Sequence, residues 1–460
     1  MSEPLPSSAV GATTWRLTGS PELLAGEQVA TPTLRRSLLL ANMAGYLGGY
    51  FVLHNQWLQL AWGLILAVLW LLAGGHEDVS EALRKDRWMQ GVVVVGLALL
   101  LRSTFLDSPG KSPSAIWVGW GNSFLLLGFL LTLWQVARLP GVILSLGRPL
   151  VAMAAVAACG SLVGFYTIHP EGVFGASLRN CLVYGGWNSV CSGLTFGFAL
   201  CWAIGAWDTQ REHSNPKRWI LAVLPLYVAT LLTLSRGALM ALVWGHLALL
   251  IAVGWRQAKR PLILLVSVLC LFQAFAPVLS FLAAKDASNR LGIVDAQTAV
   301  AQYGDGVVKA NPIKAAMERS DNGRFLIYGA VLHSLSSWQD WLVGKGMWAD
   351  NDCWSCSLHW YPEHTHGVFW DTLVHGGLLA LLALMSLVVW ALHRAYHLAR
   401  RGESLWVLLA GFGLGGLLFD GDSVWKLMSV ARYEPLLFWT PLVIASARFT
   451  QLVERRPLRV

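Results

Sequence analysis

The chain has 460 residues, of which 55% are hydrophobic and only 13% are charged, and its mean hydropathy is +0.53. Globular proteins carry about 25% charged residues, so this composition excludes an ordinary soluble enzyme. The net charge of +8 does not indicate a nucleic-acid partner, because Lys and Arg lie mainly in alternate short segments between apolar stretches. The sequence predicts an all-α polytopic membrane protein surrounded by membrane lipids.

Residues 1–34 are rich in Pro, Ser and Thr and lack the basic region and apolar core of a signal peptide, so we interpret them as a disordered cytoplasmic tail. Residues 35–284 contain nine apolar segments, centred near residues 45, 65, 96, 126, 157, 193, 226, 245 and 270. Residues 366–448 contain three more, near 386, 411 and 441, and residues 449–460 form a second cytoplasmic tail. Since a span needs about 20 apolar residues, about 12 transmembrane helices are predicted.

The distribution of positive charge predicts the orientation of these spans. With both termini inside, the inner segments hold 21 Lys and Arg and the short outer loops hold six. Cytoplasmic loops of membrane proteins carry such an excess. The chain is therefore expected to be a multi-pass inner-membrane protein whose one long polar segment, residues 285–365, faces the periplasm of a Gram-negative cell.

This long segment has the composition of a soluble protein, and helical character is predicted at 294–303, at 312–317 and from Arg324 onward. The Asp321-Asn-Gly sequence supplies a cap for the last of these helices. An irregular, aromatic loop is expected after Gly346. The sequence thus predicts a mostly helical periplasmic subdomain.

Seven cysteines occur, and five of them fall in apolar spans, where they are interpreted as small packing residues. The other two, in Cys353-Trp-Ser-Cys356, lie in the long segment. A local disulfide and a pair of free thiols both remain open for them.

Three arginines lie at the outer surface, where a charge is costly unless it reaches water or a partner. They are Arg179 before the sixth span, Arg236 between two apolar stretches, and Arg324 at the start of a predicted helix. A guanidinium matches phosphate oxygens two at a time, so together the three can bind a pyrophosphate without a metal ion. The alternatives are side chains that extend to the interface for Arg179 and Arg236, and a salt bridge with Asp321 or Glu318 for Arg324.

Histidines cluster at the end of the long segment: His359, His364, His366 and His375. Zinc would need a third ligand, and only Cys353 or Cys356 could be recruited, so no metal site is predicted. A histidine at the start of a helix can instead act as a general base, because its usual pKa of about 6.5 suits proton transfer at neutral pH. Asp371 and His375 are four residues apart and are expected to pair on one helix. Three acids also face outside, without one being singled out: Glu363, Asp420 and Asp422.

Several short motifs in the sequence resemble those of a known family. The chain contains Ser235-Arg-Gly-Ala, then Ser320-Asp-Asn-Gly-Arg-Phe-Leu-Ile-Tyr, then Leu342-Val-Gly-Lys-Gly346, and then His364-Thr-His366 before a helix with Gly376-Gly. In this order, and on one predicted side of the membrane, these motifs resemble the O-antigen ligases. The wider group includes O-antigen polymerases and protein O-oligosaccharyltransferases. Arg179 followed by Asn188 is also similar to the family, and the resemblance covers about residues 175–380.

The resemblance implies a glycosyltransferase that needs no cofactor and inverts the anomeric centre. Its donor would be an O-antigen polysaccharide on undecaprenyl pyrophosphate, and its acceptor would be lipid A–core oligosaccharide, as in lipopolysaccharide biosynthesis. His366 would be the catalytic general base, with Arg179, Arg236 and Arg324 on the pyrophosphate. The family usually has Asn after this histidine, whereas Gly367 follows here, so His364 is the alternative base. A polymerase or a protein O-oligosaccharyltransferase would share the donor, and a non-enzymatic lipid-linked sugar transporter would use the same basic residues for binding only.

Overall fold

A computed structural model of the chain describes residues 34–53, 56–72, 75–106, 112–168, 177–182, 188–209, 216–291, 324–347, 349, 355, 364–421, 423–425 and 433–454. The regular secondary structure in these ranges is entirely helical, as the composition predicts. Several predicted features lie outside the described residues: residues 1–33 of the first tail, residues 455–460 of the second, the helical stretches at 294–303 and 312–317, the Asp321 cap, Cys353, Cys356, His359, Glu363 and Asp422.

The described residues form fifteen helices, which we number in chain order. They are α1 (Leu34–Val52), α2 (Gln56–Leu72), α3 (Gly75–Lys85), α4 (Arg87–Phe105), α5 (Pro113–Ala137), α6 (Val142–Thr167), α7 (Ser189–Thr209), α8 (Pro216–Leu232), α9 (Arg236–Val253), α10 (Trp255–Leu291), α11 (Arg324–Ser334), α12 (Trp338–Val343), α13 (Val368–Ala399), α14 (Leu405–Leu417) and α15 (Glu434–Glu454).

Each of the twelve apolar segments predicted from the sequence coincides with one helix: α1, α2, α4 to α10, and α13 to α15. Among the described residues, eight helices are long and apolar enough to cross a membrane, namely α4 to α7, α9, α10, α13 and α15. Helices α2, α8 and α14 contain shorter apolar stretches. The architecture is that of a helical membrane protein. The number of spans, about 12, remains a prediction.

Three helices differ from the segments expected from the sequence. Helix α15 continues to Glu454, past the predicted span end at residue 448 and into the predicted cytoplasmic tail. Helix α10 continues to Leu291, past the predicted span end at residue 284 and into the long polar segment. Helix α3 was not predicted, because its polar sequence lies within a short inner segment. Hydropathy identifies apolar spans well but does not detect a polar helix or a polar extension of an apolar one.

Helix α14 lies at the centre of the bundle, with every residue except Leu414 buried. Its glycines allow the neighbouring helices to pack closely against it. A Cβ atom at Gly411 would lie 2.6 Å from the Cβ of Ala248 in α9, and one at Gly416 would lie 2.5 Å from Leu194 in α7. Small residues let membrane helices approach closely. The close packing brings the end of α14 beside the first turn of α9.

Helix α13 is broken at Gly377, whose φ of 66° and ψ of −171° are not helical. The carbonyls of Val374 and His375 accept hydrogen bonds from the backbone N–H groups of Lys345 and Gly346, at 2.7 and 2.9 Å. We call residues 342–346 the clasp. It contains the Leu-Val-Gly-Lys-Gly motif and supplies donors to carbonyls that the break leaves without helical partners.

Arg102 of α4 holds the clasp from the other side. Its Nε donates to the carbonyl of Val343 at 3.0 Å, and its Nη2 donates to the carbonyl of Gly344. The hydroxyl of Ser103 accepts a hydrogen bond from the N–H of Met347 at 2.8 Å. The half of α13 that precedes Gly377 is thereby joined to α4.

A buried polar network lies near the C-terminal ends of α13 and α15. Asp86, which caps α4, is fully buried, and its Oδ1 lies 2.6 Å from Nη1 of Arg394. Its Oδ2 accepts hydrogen bonds from Ser446 at 2.7 Å and from the indole of Trp134 at 3.0 Å. One carboxylate thus connects α4, α5, α13 and α15.

Candidate functional site

Asp420, just beyond α14, joins two of the predicted site residues. Its Oδ2 accepts a hydrogen bond from Nη2 of Arg324 at 2.8 Å, and its Oδ1 lies 3.4 Å from Nδ1 of His366. The Asp420 side chain is only 6% exposed, whereas His366 is 29% exposed. A buried carboxylate needs a compensating charge, which Arg324 provides. The carboxylate therefore fixes a cation and a partly accessible imidazole beside each other.

The position of Asp420 sets the tautomer of neutral His366. A carboxylate only accepts hydrogen bonds, so the proton of the imidazole lies on Nδ1 and the lone pair on Nε2. A base oriented by a third group in this way is a common catalytic arrangement. The distance of 3.4 Å is long for a hydrogen bond, but catalytic hydrogen bonds often shorten only when substrate binds.

The backbone at this site is strained. Among the described residues, the non-glycine residues with positive φ are His366, at 54°, and Leu234, at 52°. Such a conformation costs about 1–3 kcal/mol and is typical of functional sites. Hydrogen bonds hold His366 in it: its carbonyl accepts from the Tyr328 hydroxyl at 3.3 Å, and its N–H donates to Nδ1 of His364 at 3.1 Å.

An aromatic pair supports the histidine from α11 and α13. The rings of Tyr328 and Trp370 are stacked, with centroids 4.7 Å apart. Burial raises the pKa of the Tyr328 phenol, so the hydroxyl that donates to His366 keeps its proton at neutral pH. The sequence did not identify either residue as part of the site.

The Ser235-Arg236-Gly237 motif forms the first turn of α9. Ser235 is the N-cap, and its hydroxyl accepts a hydrogen bond from the N–H of Ala238 at 3.2 Å. A Cβ atom at Gly237 would lie only 2.8 Å from Oδ2 of Asp420. Glycine therefore lets the carboxylate approach the helix N-terminus, where the dipole favours a negative charge. Arg236, half-buried, lies directly beside this contact.

Arg179 lies between two anchored residues. The N–H of Leu178 donates to the carbonyl of Leu232 at 2.9 Å, where α8 ends, just before the Arg236 motif. The side chain of Asn180 is buried and donates to the carbonyl of Phe51 at 3.1 Å. Arg179 is thus held near the end of α8, and its side chain is half-buried.

A second buried acid, Glu434, lies at the start of α15 near Asp420. A Cβ atom at Gly421 would be 3.8 Å from its Cγ. Burial, followed by the Cys191 thiol and the carboxylates of Glu434 and Asp420, raises the pKa of the neighbouring Tyr433 well above its usual value. Sequence reasoning did not consider Glu434, although an acid beside an apolar helix is a recognisable functional signal.

Two of the predicted site residues, Arg324 and His366, both contact Asp420. The backbone of Gly237, which follows Arg236, lies against the same carboxylate. The rings of His364 and His366 are in contact, with centroids 4.1 Å apart and planes inclined by 53°. The predicted pairing of Asp371 with His375 is confirmed, with Oδ1 and Nδ1 3.1 Å apart. Among the described residues, no group of three or more His, Cys, Asp or Glu lies close enough to hold a metal ion.

Comparison with known families and proteins adds no assignment: no family model matches the chain, and no curated protein does either.

Proposed function

We propose that this protein is an O-antigen ligase, a glycosyltransferase that moves polysaccharide from undecaprenyl pyrophosphate to lipid A–core oligosaccharide. The observation that carries the proposal is the bridge of Asp420 between Arg324 and His366. In the proposed enzyme this bridge would hold a general base, His366, beside a phosphate-binding side chain, Arg324. Three of the motifs that resemble the ligase family supply residues around Asp420, namely Gly237, Arg324 and His366.

The proposed reaction uses the lone pair on Nε2 of His366. As the acceptor hydroxyl attacks the anomeric carbon, its proton moves to Nε2, the new C–O bond forms, and the bond to pyrophosphate breaks. The pyrophosphate leaves with the electron pair, and attack from the opposite face inverts the anomeric centre. Asp420, hydrogen-bonded to Nδ1–H, stabilises the imidazolium that results.

Arginines would stabilise the negative charge that develops on the leaving group. One Nη of Arg324 is occupied by Asp420, while its buried Nε has no hydrogen-bond partner. Arg236 and Arg179 complete the proposed pyrophosphate site from α9 and from the segment before α7. In the proposed mechanism, three positively charged guanidinium groups stabilise the leaving pyrophosphate without a metal ion.

We expect Arg236→Lys to lower transfer by about 10- to 100-fold, which corresponds to the loss of a charge-assisted hydrogen bond. Lysine keeps the charge but not the bidentate geometry. Transfer by purified variants in liposomes is the measurement. Arg138→Lys is the matched control, because Arg138 pairs with Glu81 and Glu454 at the opposite end of the bundle. Near-normal transfer by both Arg179→Ala and Arg236→Ala would contradict the pyrophosphate role.

The proposed localisation is the inner membrane, with the site on the periplasmic face and both termini in the cytoplasm. In a variant without native cysteines, Asp305→Cys should react with an impermeant thiol reagent in intact spheroplasts. Asp305 lies outside the described residues, in the long polar segment. Ser214→Cys, in a predicted inner segment, should react only after lysis. The reverse pattern would contradict the topology.

One reconstitution separates the candidate functions. Liposomes with the protein, a purified lipid-linked glycan and rough lipopolysaccharide should yield a ladder of larger lipopolysaccharide on a gel, also with EDTA present. A polymerase would lengthen the donor without acceptor, a protein O-oligosaccharyltransferase would require a protein acceptor, and a transporter would give no new covalent product. Any of these three results would replace the ligase proposal.

A further inference from the structure

A small cavity lies next to the break in α13, and several polar residues are among those that line it. The apolar side chains of Leu99 and Met347 form part of its wall, and Asp371, His375, Ser423 and Trp425 supply its polar groups. It has room for about one water molecule. Asp371 is 2% exposed, Ser423 is 3% exposed, and His375 and Trp425 are each 5% exposed.

Three of these side chains each have one buried polar atom without a hydrogen-bond partner: Oδ2 of Asp371, Nε2 of His375 and Nε1 of Trp425. A buried polar atom without a hydrogen-bond partner is destabilising. The residues that carry these three atoms line one cavity, and a single ligand there would satisfy all three.

The hydrogen bonds already present determine what this ligand must offer. Nδ1 of His375 faces the carbonyl of Asp371 at 3.0 Å and its Oδ1 at 3.1 Å. Both are acceptors, so Nδ1 carries the proton and Nε2 of neutral His375 is an acceptor. Oδ2 of Asp371 is also an acceptor, and Nε1–H of Trp425 is a donor. The ligand must donate two hydrogen bonds and accept one.

We propose that the cavity is a binding site for one ordered water molecule, which donates to Asp371 and His375 and accepts from Trp425. The Ser423 hydroxyl, whose oxygen already accepts from the N–H of Trp425 at 3.3 Å, can donate the fourth hydrogen bond. A cation does not fit this set, because the indole N–H is only a donor and points its positive end at the ligand. Ordering one water is less costly than leaving three buried polar groups without hydrogen-bond partners.

The water completes the connection between the first half of α13 and the segment after α14. Asp371 and His375 belong to the half-helix that follows His366, and Trp425 follows Asp420 in the chain. The water is therefore a positioning element between the two chain segments that carry the imidazole and its carboxylate. The binding of the water does not depend on the proposed transfer reaction, and only its positioning role rests on the proposed function.

Hydroxyl-radical footprinting of the intact protein tests this site, because radiolysis of a bound water oxidises the side chains it touches. Trp425 and His375 should be oxidised severalfold faster than Trp439. Trp439 is the matched control: it is fully buried, lies beside Trp425, and its indole N–H donates to the carbonyl of Val424 at 2.8 Å. Equal rates for Trp425 and Trp439 would overturn the proposal.

Rapid dilution into H₂¹⁸O before radiolysis distinguishes a bound water from bulk solvent. Trp425 should still incorporate ¹⁶O at short mixing times, whereas Trp338, which is 72% exposed, should incorporate ¹⁸O at once. Immediate ¹⁸O incorporation at Trp425 would show bulk access and overturn the proposal. In a folded Trp425→Phe variant, oxidation of His375 should fall severalfold, and an unchanged rate would contradict the role of the indole. If that variant does not fold, the comparison within the wild-type protein remains decisive.

Discussion

Replacement of His366 by alanine is expected to lower transfer by about 10²–10⁴-fold, the usual contribution of a general base. The imidazole is oriented by Asp420 through Nδ1, which leaves Nε2 with the lone pair that accepts the proton. Donor binding should be retained, because the arginines remain in place. The measurement is single-turnover transfer in liposomes, with donor binding followed separately.

His364→Ala is the matched control for this experiment. Its ring contacts that of His366 and its Nδ1 accepts a hydrogen bond from the backbone N–H of His366, so its role is to support the position of His366. Its loss should therefore have a milder effect. Unchanged activity in EDTA is expected for a base and not for a zinc ligand. If His364→Ala were inactive and His366→Ala normal, the base would be His364.

Replacement of Asp86 by alanine is expected to lower the free energy of unfolding by about 3–5 kcal/mol, the usual cost of removing one partner of a buried ion pair. Arg394 would remain in the interior without its carboxylate, and Ser446 and Trp134 would lose their acceptor. The cap of α4 would also be lost. Unfolding in mixed detergent micelles measures this change.

Glu81→Ala is the control for the buried network. Glu81 lies 2.8 Å from Lys85 and 2.9 Å from Arg138, but its side chain is 30% exposed. The hydrogen bond from Lys85 lowers the pKa of Glu81, yet exposed pairs of this kind contribute only about 0–1 kcal/mol. Equal destabilisation by Asp86→Ala and Glu81→Ala would show that burial does not control the strength of these ion pairs.

The helices and several site members could be predicted because they depend on local patterns. Apolar length predicts the segments that became α4 to α7, and the spacing of Asp371 and His375 predicts their contact on α13. Arg324 begins a helix, as its apolar periodicity indicates. His366 precedes a span and was identified from its chemistry and position.

The contacts that organise the site could not be predicted in the same way, because they are tertiary. Arg324 and Asp420 are 96 positions apart in the chain, and only tertiary packing brings them together. Asp420 was one of three acids with no feature to distinguish it. The clasp likewise depends on a helix break whose position is set by packing between chain segments.

The clasp makes two glycines depend on each other. A Cβ atom at Gly344 would lie 2.5 Å from the backbone nitrogens of Gly376 and Gly377, and one at Gly377 would lie 2.5 Å from the carbonyl of Leu342. Both glycines also have positive φ. A side chain at either Gly344 or Gly377 would collide with the backbone of the opposite segment, so the clasp can form only when both residues are glycine. The two positions are thus expected to vary together: a relative that keeps the clasp should have glycine at both, and a relative with a side chain at one should lack the clasp.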